Sequence, residues 1–371
     1  MANEILKINY PSIYIGTESS EIEFFDGTPD LVSIFNIGAE NTGKRYFVTD
    51  GTVASLPCME NFLSKFEDDR CNNDYLIILG SGEPYKTVES VLKIVSAAIE
   101  AGFSRNDLFV GIGGGVICDI TAFAASIFKR GAKVEFVPTT LLAMVDAAMG
   151  GKTGCDFDNY KNMIGSFYPA RKIYYCTEFV QSLSEQQFNS GLAEAFKTAI
   201  LSNAQMLDVM ETESEKIKAR DSKILKNIIM ECVKIKSSFV EKDFTERNIR
   251  AFLNLGHTYG HALETLSGLG AITHGQAVAW GIGRATVLSL NKGYCMEAFK
   301  NKIFKILELY DWNTESIPSS VAGGAIGERF LTVMHKDKKN MNSKIKVVIP
   351  KNTCDIVAEE VEDSEILATL K

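Results

Sequence analysis

At 371 residues the chain exceeds the roughly 250–300 at which one hydrophobic core stops growing, so two domains are expected, and an apolar fraction of 46% can fill both. A net charge of −8 gives no general attraction to phosphate backbones or anionic lipid, which argues against nucleic-acid and membrane-surface binding. The opening Met1-Ala2-Asn3-Glu4 carries acid where a signal peptide needs a basic region, and no run of about 18 apolar residues follows, so a soluble, cytoplasmic protein is expected.

In chain order, the first half alternates short β-branched runs with helical patterns, the mark of an α/β domain with a largely parallel sheet. Residues 45–50 read as a strand ending in Asp50, and 75–80 as a second that closes on the turn Gly82-Glu83-Pro84-Tyr85-Lys86. A helix over 87–100 carries an apolar stripe at Val88, Val91, Leu92, Val95 and Ile99. A third strand at 107–112 runs into Gly113-Gly114-Gly115, followed by Val116-Ile117-Cys118-Asp119. Glycines between a strand and a helix leave the helix N-terminus bare, where free N–H groups favour a pyrophosphate. This is not the Gly-x-Gly-x-x-Gly fingerprint, and a purely conformational role for the turn stays open. Asp50 could take a ribose hydroxyl or simply cap a helix.

A strand at 133–138 precedes Thr139-Thr140, Asp146 and the segment Gly150-Gly151-Lys152-Thr153-Gly154, then Lys161-Asn162. Residues 150–165 read as a loop whose Lys and Asn groups look like anion ligands, with a solvated loop as the plain alternative. After Tyr174-Tyr175-Cys176 the segments become long and helical, at 191–200, 207–218, 224–240, 255–266 and through 277–285. The domain boundary is placed near 176, giving 1–176 and 177–371. Charge runs such as 211–218 read as solvated helix faces. The eight cysteines form no Cys-x-x-Cys pair, so reduced, mostly buried thiols are expected.

Three of the four histidines, His257, His261 and His274, fall in one short window. His257 and His261 are four apart and share a helix face. Such a pair can hold a divalent metal, and a catalytic zinc usually takes three nitrogen or carboxylate ligands, which leaves a third to be found. Glu194 and Lys197, three apart on an apolar helix, could equally be a buried ion pair. His335 and its basic neighbours suggest a surface cluster.

Together these segments resemble the 3-dehydroquinate synthase family of sugar phosphate cyclases. The resemblance rests on the ordered motifs at 82–86, 113–119, 138–142, 145–146, 150–153, 161–165, 190–194, 254–261 and 337–339. It implies a Rossmann-like α/β N-terminal domain and an all-α C-terminal domain, homodimeric assembly, NAD, and Zn2+ or Co2+. The implied reaction converts DAHP into 3-dehydroquinate and phosphate in the shikimate route. By matching positions, Glu194, His257 and His274 would hold the metal. NAD would meet Asp50, Glu83, Lys86, Gly114, Gly115, Asp119, Thr139, Thr140, Lys152 and Lys161, with Phe179 and Ser182 nearby. Substrate phosphate and carboxylate would meet Lys152, Asn162, Lys197, Lys236, Arg250, Asn254, His261 and Lys338, with Asp146 in the same machinery and Arg130 reaching in from the second subunit. The resemblance therefore splits the helical pair, sending His257 to the metal and His261 to the substrate.

Four departures from the family pattern stand out: Cys118 for a glycine, Gln181 and Ser182 for Lys-Thr, and Gln276 for the usual Glu after the His-Gly pair. The last would remove charge from a partner of the metal site. Another cyclase of the superfamily, or a metal-dependent polyol dehydrogenase similar to glycerol dehydrogenase, remains the alternative.

Overall fold

A strand covered on both faces needs a continuous apolar run rather than an alternating one. The computed structural model describes residues 4–11, 17–39, 43–66, 73–158, 160–268, 270–321, 323–336 and 344–371, and places three such runs at the centre of a sheet. The strands in chain order are β1 (Glu4–Asn9), β2 (Ser19–Phe25), β3 (Arg45–Asp50), β4 (Asp74–Leu79), β5 (Leu108–Gly113), β6 (Lys133–Pro138), β7 (Lys152–Phe157), β8 (Tyr160–Phe167) and β9 (Lys172–Cys176). Seven of them form one sheet in the order β1-β2-β9-β6-β5-β3-β4. It is parallel except for β1, which pairs antiparallel with β2.

The Val88–Glu100 helix, capped by the Thr87 hydroxyl, connects β4 to β5, and the Gly115–Ile127 helix connects β5 to β6. From β3 the chain moves outward to β4, returns to lay β5 on the other side of β3, and continues that way through β6 to β9. The direction of winding thus reverses between β3 and β5, where open α/β sheets bind ligands beyond the strand ends. Asp50 ends β3 and the Gly113-Gly114-Gly115 turn ends β5.

Two compact units divide the chain: Met1–Leu183 with Lys236–Thr245, and Ser184–Ile235 with Glu246–Lys371. The later segment is stitched into the first unit. Phe244 is buried edge-on to Tyr10, with ring centroids 5.1 Å apart, and packs on Phe167. Lys236 donates to the Asp146 carboxylate, and the Asn9 N–H donates to Glu241 at 2.9 Å. The second unit is built from helices, among them Glu185–Ser202, Ser222–Lys242 in its first part, His257–Ser267, His274–Asn291, Glu297–Leu309 and Ile326–Lys336. It is not purely helical, because β10 (Ile345–Asn352) and β11 (Asp355–Val361) form an antiparallel hairpin.

The expected loop at 150–165 contains an antiparallel hairpin, β7 with β8. Glycine content disguised it. Gly154 and Gly165 face each other across the ladder, and a Cβ on Gly165 would lie 2.0 Å from the Thr153 carbonyl oxygen. The expected helix at 207–218 is two helices, Ala204–Thr212 and Ser214–Lys218. No helix among the described residues is long and apolar enough to cross a membrane. The described cysteines are free thiols, most of them buried.

Candidate active site

In the second unit, backbone approaches between helices bring the metal candidates together. A Cβ on Gly281 would lie 2.0 Å from the Gly256 carbonyl oxygen, and one on Gly260 would lie 2.9 Å from that of Ala277. These glycines let the His257–Ser267 and His274–Asn291 helices touch main chain to main chain. A Cβ on Gly275 would fall 2.1 Å from the Ser190 carbonyl oxygen, while the Ser190 hydroxyl accepts the Gly275 N–H at 3.0 Å. That contact ties the start of the His274–Asn291 helix to the helix bearing Glu194.

Glu194, His257 and His274 converge as a result. His257 Nε2 is 3.5 Å and His274 Nε2 is 3.3 Å from Glu194 Oε1. Donors about 2.0–2.2 Å from a tetrahedral ion stand roughly 3.3–3.5 Å from one another. The donor spacing and the mixed imidazole–carboxylate set therefore fit a zinc-type ion. The other carboxylate oxygen, Oε2, pairs with Lys197 Nζ at 2.5 Å, so the plain ion-pair reading of Glu194 and Lys197 also describes the contact.

The two imidazoles carry different charge. Burial holds His257 well below its ordinary pKa, and Lys197 pushes the same way. Its Nδ1 faces the Leu255 carbonyl at 3.1 Å, which leaves the Nε2 lone pair toward Glu194. Burial also disfavours charge on His274, but hydrogen bonds to Glu194 and Glu264 outweigh it and lift that imidazole to about 10. The attraction of these carboxylates for positive charge, met by a proton on His274, is what a divalent cation would meet.

His261 is on the same helix face as His257, with ring centroids 5.5 Å apart. Among the described residues, however, the groups able to hold an ion are Glu194 with His257 and His274, and His261 with Glu264 and His274. The helical pair His257 and His261 does not by itself gather around Glu194. Arg250 is buried, and Asn254 donates to Glu246 at 2.6 Å. Lys338 lies outside the described residues.

In the first unit, Gly114 caps the Gly115–Ile127 helix, and its Cβ position lies 3.0 Å from the Thr140 methyl, so the turn is closely fitted. Cys118 is buried beneath it with Sγ 3.8 Å from the Gly113 carbonyl, so its side chain turns into the core. Lys86, also buried, pairs with Asp119 at 2.6 Å and donates to Asn162 Oδ1 at 2.5 Å. Burial opposes charge on both partners of that pair; Asp119 still raises the Lys86 pKa, while burial prevails on Asp119 and lifts its carboxyl. Asn162, near the start of β8, has a positive φ of 54° and donates its N–H to Asp156.

Asp50 caps the helix that follows it, accepting from Thr52 and Val53 N–H at 2.9 and 3.0 Å, and takes the Ser81 hydroxyl on the same oxygen. Thr139 is buried and its N–H donates to Gly113. Asp146 lies in a π-type turn, Ala143–Ala147, a distortion common at functional sites, and holds Lys236. Glu83, Lys152 and Lys161 are exposed; Phe179 is buried, and Ser182 donates to its carbonyl. Arg130 is exposed beside Lys129, both with positive φ, 66° and 46°.

Glu264 and Glu246 escaped the sequence reading. Glu264 had a signal, since it stands seven residues after His257 and three after His261 on one helix face. Gln276, expected near the metal site, instead closes a capping box: its side chain accepts the Thr273 N–H at 2.9 Å and Thr273 caps the Gln276 N–H.

Comparison with known proteins agrees with this geometry. Residues 76–190 match the 3-dehydroquinate synthase N-terminal family and 191–340 its C-terminal family. The chain is 33% identical to a 3-dehydroquinate synthase of Pelobacter propionicus over 356 residues, 96% of this chain and 97% of the relative. It is 34% identical to a bifunctional 3-dehydroquinate synthase/phosphatase of Fusobacterium nucleatum, covering 98% of this chain but spanning about half (52%) of that protein. The fold is shared with ValA, a 2-epi-5-epi-valiolone synthase from Streptomyces hygroscopicus solved with NAD+ and Zn2+, at a TM-score of 0.84 and 23% identity, over 96% and 97% of the two chains. With both halves matched in order and relatives a third identical along nearly their full length, the chain belongs to the 3-dehydroquinate synthase family.

Proposed function

We propose that the chain is a 3-dehydroquinate synthase, taking DAHP to 3-dehydroquinate and inorganic phosphate with NAD and Zn2+ or Co2+. The observation that carries this is the convergence of Glu194, His257 and His274 at tetrahedral donor spacing in a chain of this family. Bound metal would supply Lewis-acid stabilisation of charge on the substrate oxygen, and bound NAD would take a hydride and return it. Lys197 pairs with the second oxygen of Glu194 and so orients the carboxylate. Arg250, Asn254 and His261 are proposed in the second unit as holders of the substrate's phosphate and carboxylate; in the first unit Lys152, Asn162 and Lys236 are proposed anion ligands, with Asp146 fixing Lys236. Fixing a flexible sugar acid by both anionic ends limits the conformers from which phosphate can leave and the ring can close.

Around NAD we place the glycine turn with Gly114 and Gly115, together with Asp50, Glu83, Lys86, Asp119, Thr139, Thr140, Lys152, Lys161, Phe179 and Ser182. Support comes from the winding reversal, which sets Asp50 and the glycines at neighbouring strand ends. The NAD-binding part would end near residue 176. The free thiols suit a reducing cytoplasm.

Purified protein given DAHP, catalytic NAD and zinc should release phosphate; none released with both cofactors bound would reject this reading, and steady NADH production from a polyol would mark a dehydrogenase instead. Lys152→Ala should keep its metal content and lose turnover, as metal analysis beside the phosphate assay would show. We also propose a homodimer in which Arg130 serves the partner's site. Its positive-φ backbone, beside that of Lys129, is of the kind that clusters at functional sites. Mixed after dissociation, Arg130→Ala and Lys152→Ala subunits should then regain the activity that each lacks, and mixtures as inactive as their parents would refute the shared site.

A further inference from the structure

The two imidazoles proposed for the metal are aimed by different acceptors. His257 Nδ1 faces a neutral main-chain carbonyl, that of Leu255, at 3.1 Å. His274 Nδ1 faces a carboxylate, Glu264 Oε2, at 3.3 Å, while its Nε2 is 3.3 Å from Glu194 Oε1. The His274 ring therefore spans two carboxylates, one on each nitrogen. Glu264 reaches it from the His257–Ser267 helix, two turns after His257, and its side chain is only 15% exposed.

A carboxylate on the far nitrogen of a metal-binding imidazole fixes the tautomer, locks the ring plane and makes the near nitrogen a stronger donor. Gln276, the other residue close in sequence to His274, is occupied with Thr273 at the helix start and does none of this. We infer that Glu264 is a positioning residue that holds His274 with its proton on Nδ1 and its Nε2 lone pair directed at the ion. The assignment rests on the metal centre proposed above and adds to it the side chain that sets the basicity of one ligand. It makes the centre unequal: His274 is the carboxylate-backed donor and His257 the carbonyl-backed one.

The test is Co2+ affinity by chelator competition on the full-length wild type, Glu264→Gln and Glu264→Ala, with bound Co2+ counted per chain. Glu264→Gln has nearly the same shape and can still accept the Nδ1 proton without charge, so it should bind about tenfold more weakly; Glu264→Ala should approach a hundredfold loss. In the zinc-loaded proteins, where Nε2 holds the ion and the proton is on Nδ1 throughout, the His274 Nδ1 proton should resonate far downfield in wild type, less so in Glu264→Gln, and exchange rapidly with water in Glu264→Ala. A merely structural role would lower the melting temperature and leave the Co2+ constant and the Nδ1 proton resonance unmoved, which would overturn the inference. It would also fall if wild type bound two Co2+ and Glu264→Ala one, because Glu264 would then be a ligand itself beside His261. A wild type that binds no Co2+ would reject the centre as a whole, whereas normal wild-type binding with unaltered variants would reject only the role of Glu264.

Discussion

Glu194→Ala should leave the purified protein without bound metal and lower turnover by roughly a thousandfold or more, the equivalent of the several kcal/mol a Lewis acid contributes. The expectation follows from geometry, because Oε1 is the atom toward which both imidazole Nε2 atoms point. It also carries a stability penalty. Oε2 faces the buried Lys197 ammonium at 2.5 Å, and removing one partner of a buried ion pair costs about 3–5 kcal/mol. Pairing Glu194→Ala with Lys197→Met separates the effects: the double variant should recover stability in a denaturant titration while remaining metal-free by elemental analysis. Stoichiometric zinc in Glu194→Ala would refute the ligand assignment.

Gly281→Ala should be among the most damaging single methyl groups in the second unit. The new carbon would lie 2.0 Å from the Gly256 carbonyl oxygen, a main-chain atom at the start of the helix that carries His257. Relief requires the two helices to separate, so the loss should reach the upper end of the roughly 1–3 kcal/mol typical of overpacking, or exceed it, and metal affinity should fall with it. Gly283→Ala is the control. Two residues along the same helix, its carbon would meet the end of the flexible Leu307 side chain at 3.1 Å, so the cost should be small. Equal unfolding midpoints for the two variants would contradict the close-approach explanation.

Much of the fold was legible because its central strands have no solvent face. Residues 45–50 and 133–138 were read with the boundaries they have, and both are buried almost throughout. The N-terminal β1 and β2 gave no such signal: β1 is largely exposed, and β2 takes its place only by pairing with β9, about 150 residues later. The hairpin β7–β8 was lost because a pair of facing glycines looks like a loop until its partner strand is known.

At the site, histidine spacing pointed to the right helix but not to the grouping. Spacing of four puts two rings on one face, yet which rings meet Glu194 depends on where other helices cross, and those crossings are set by Gly256, Gly260, Gly275 and Gly281. Gln276 stands where the resembling family usually has Glu, and the structure shows what its side chain does instead: the first turn of a helix has its own unpaired N–H groups to satisfy, and Gln276 serves those.

The segment Lys236–Thr245 gives the first unit a history as well as a shape. A fragment ending at Leu183 would leave Tyr10 and Phe167 without the Phe244 ring and Asp146 without Lys236. During synthesis β9 emerges first, and the aromatic plug Phe244 arrives about 70 residues later, after several helices of the other unit have been made. The first unit is therefore not a module that could be obtained by cutting the chain once, and its completion waits on the growth of its neighbour.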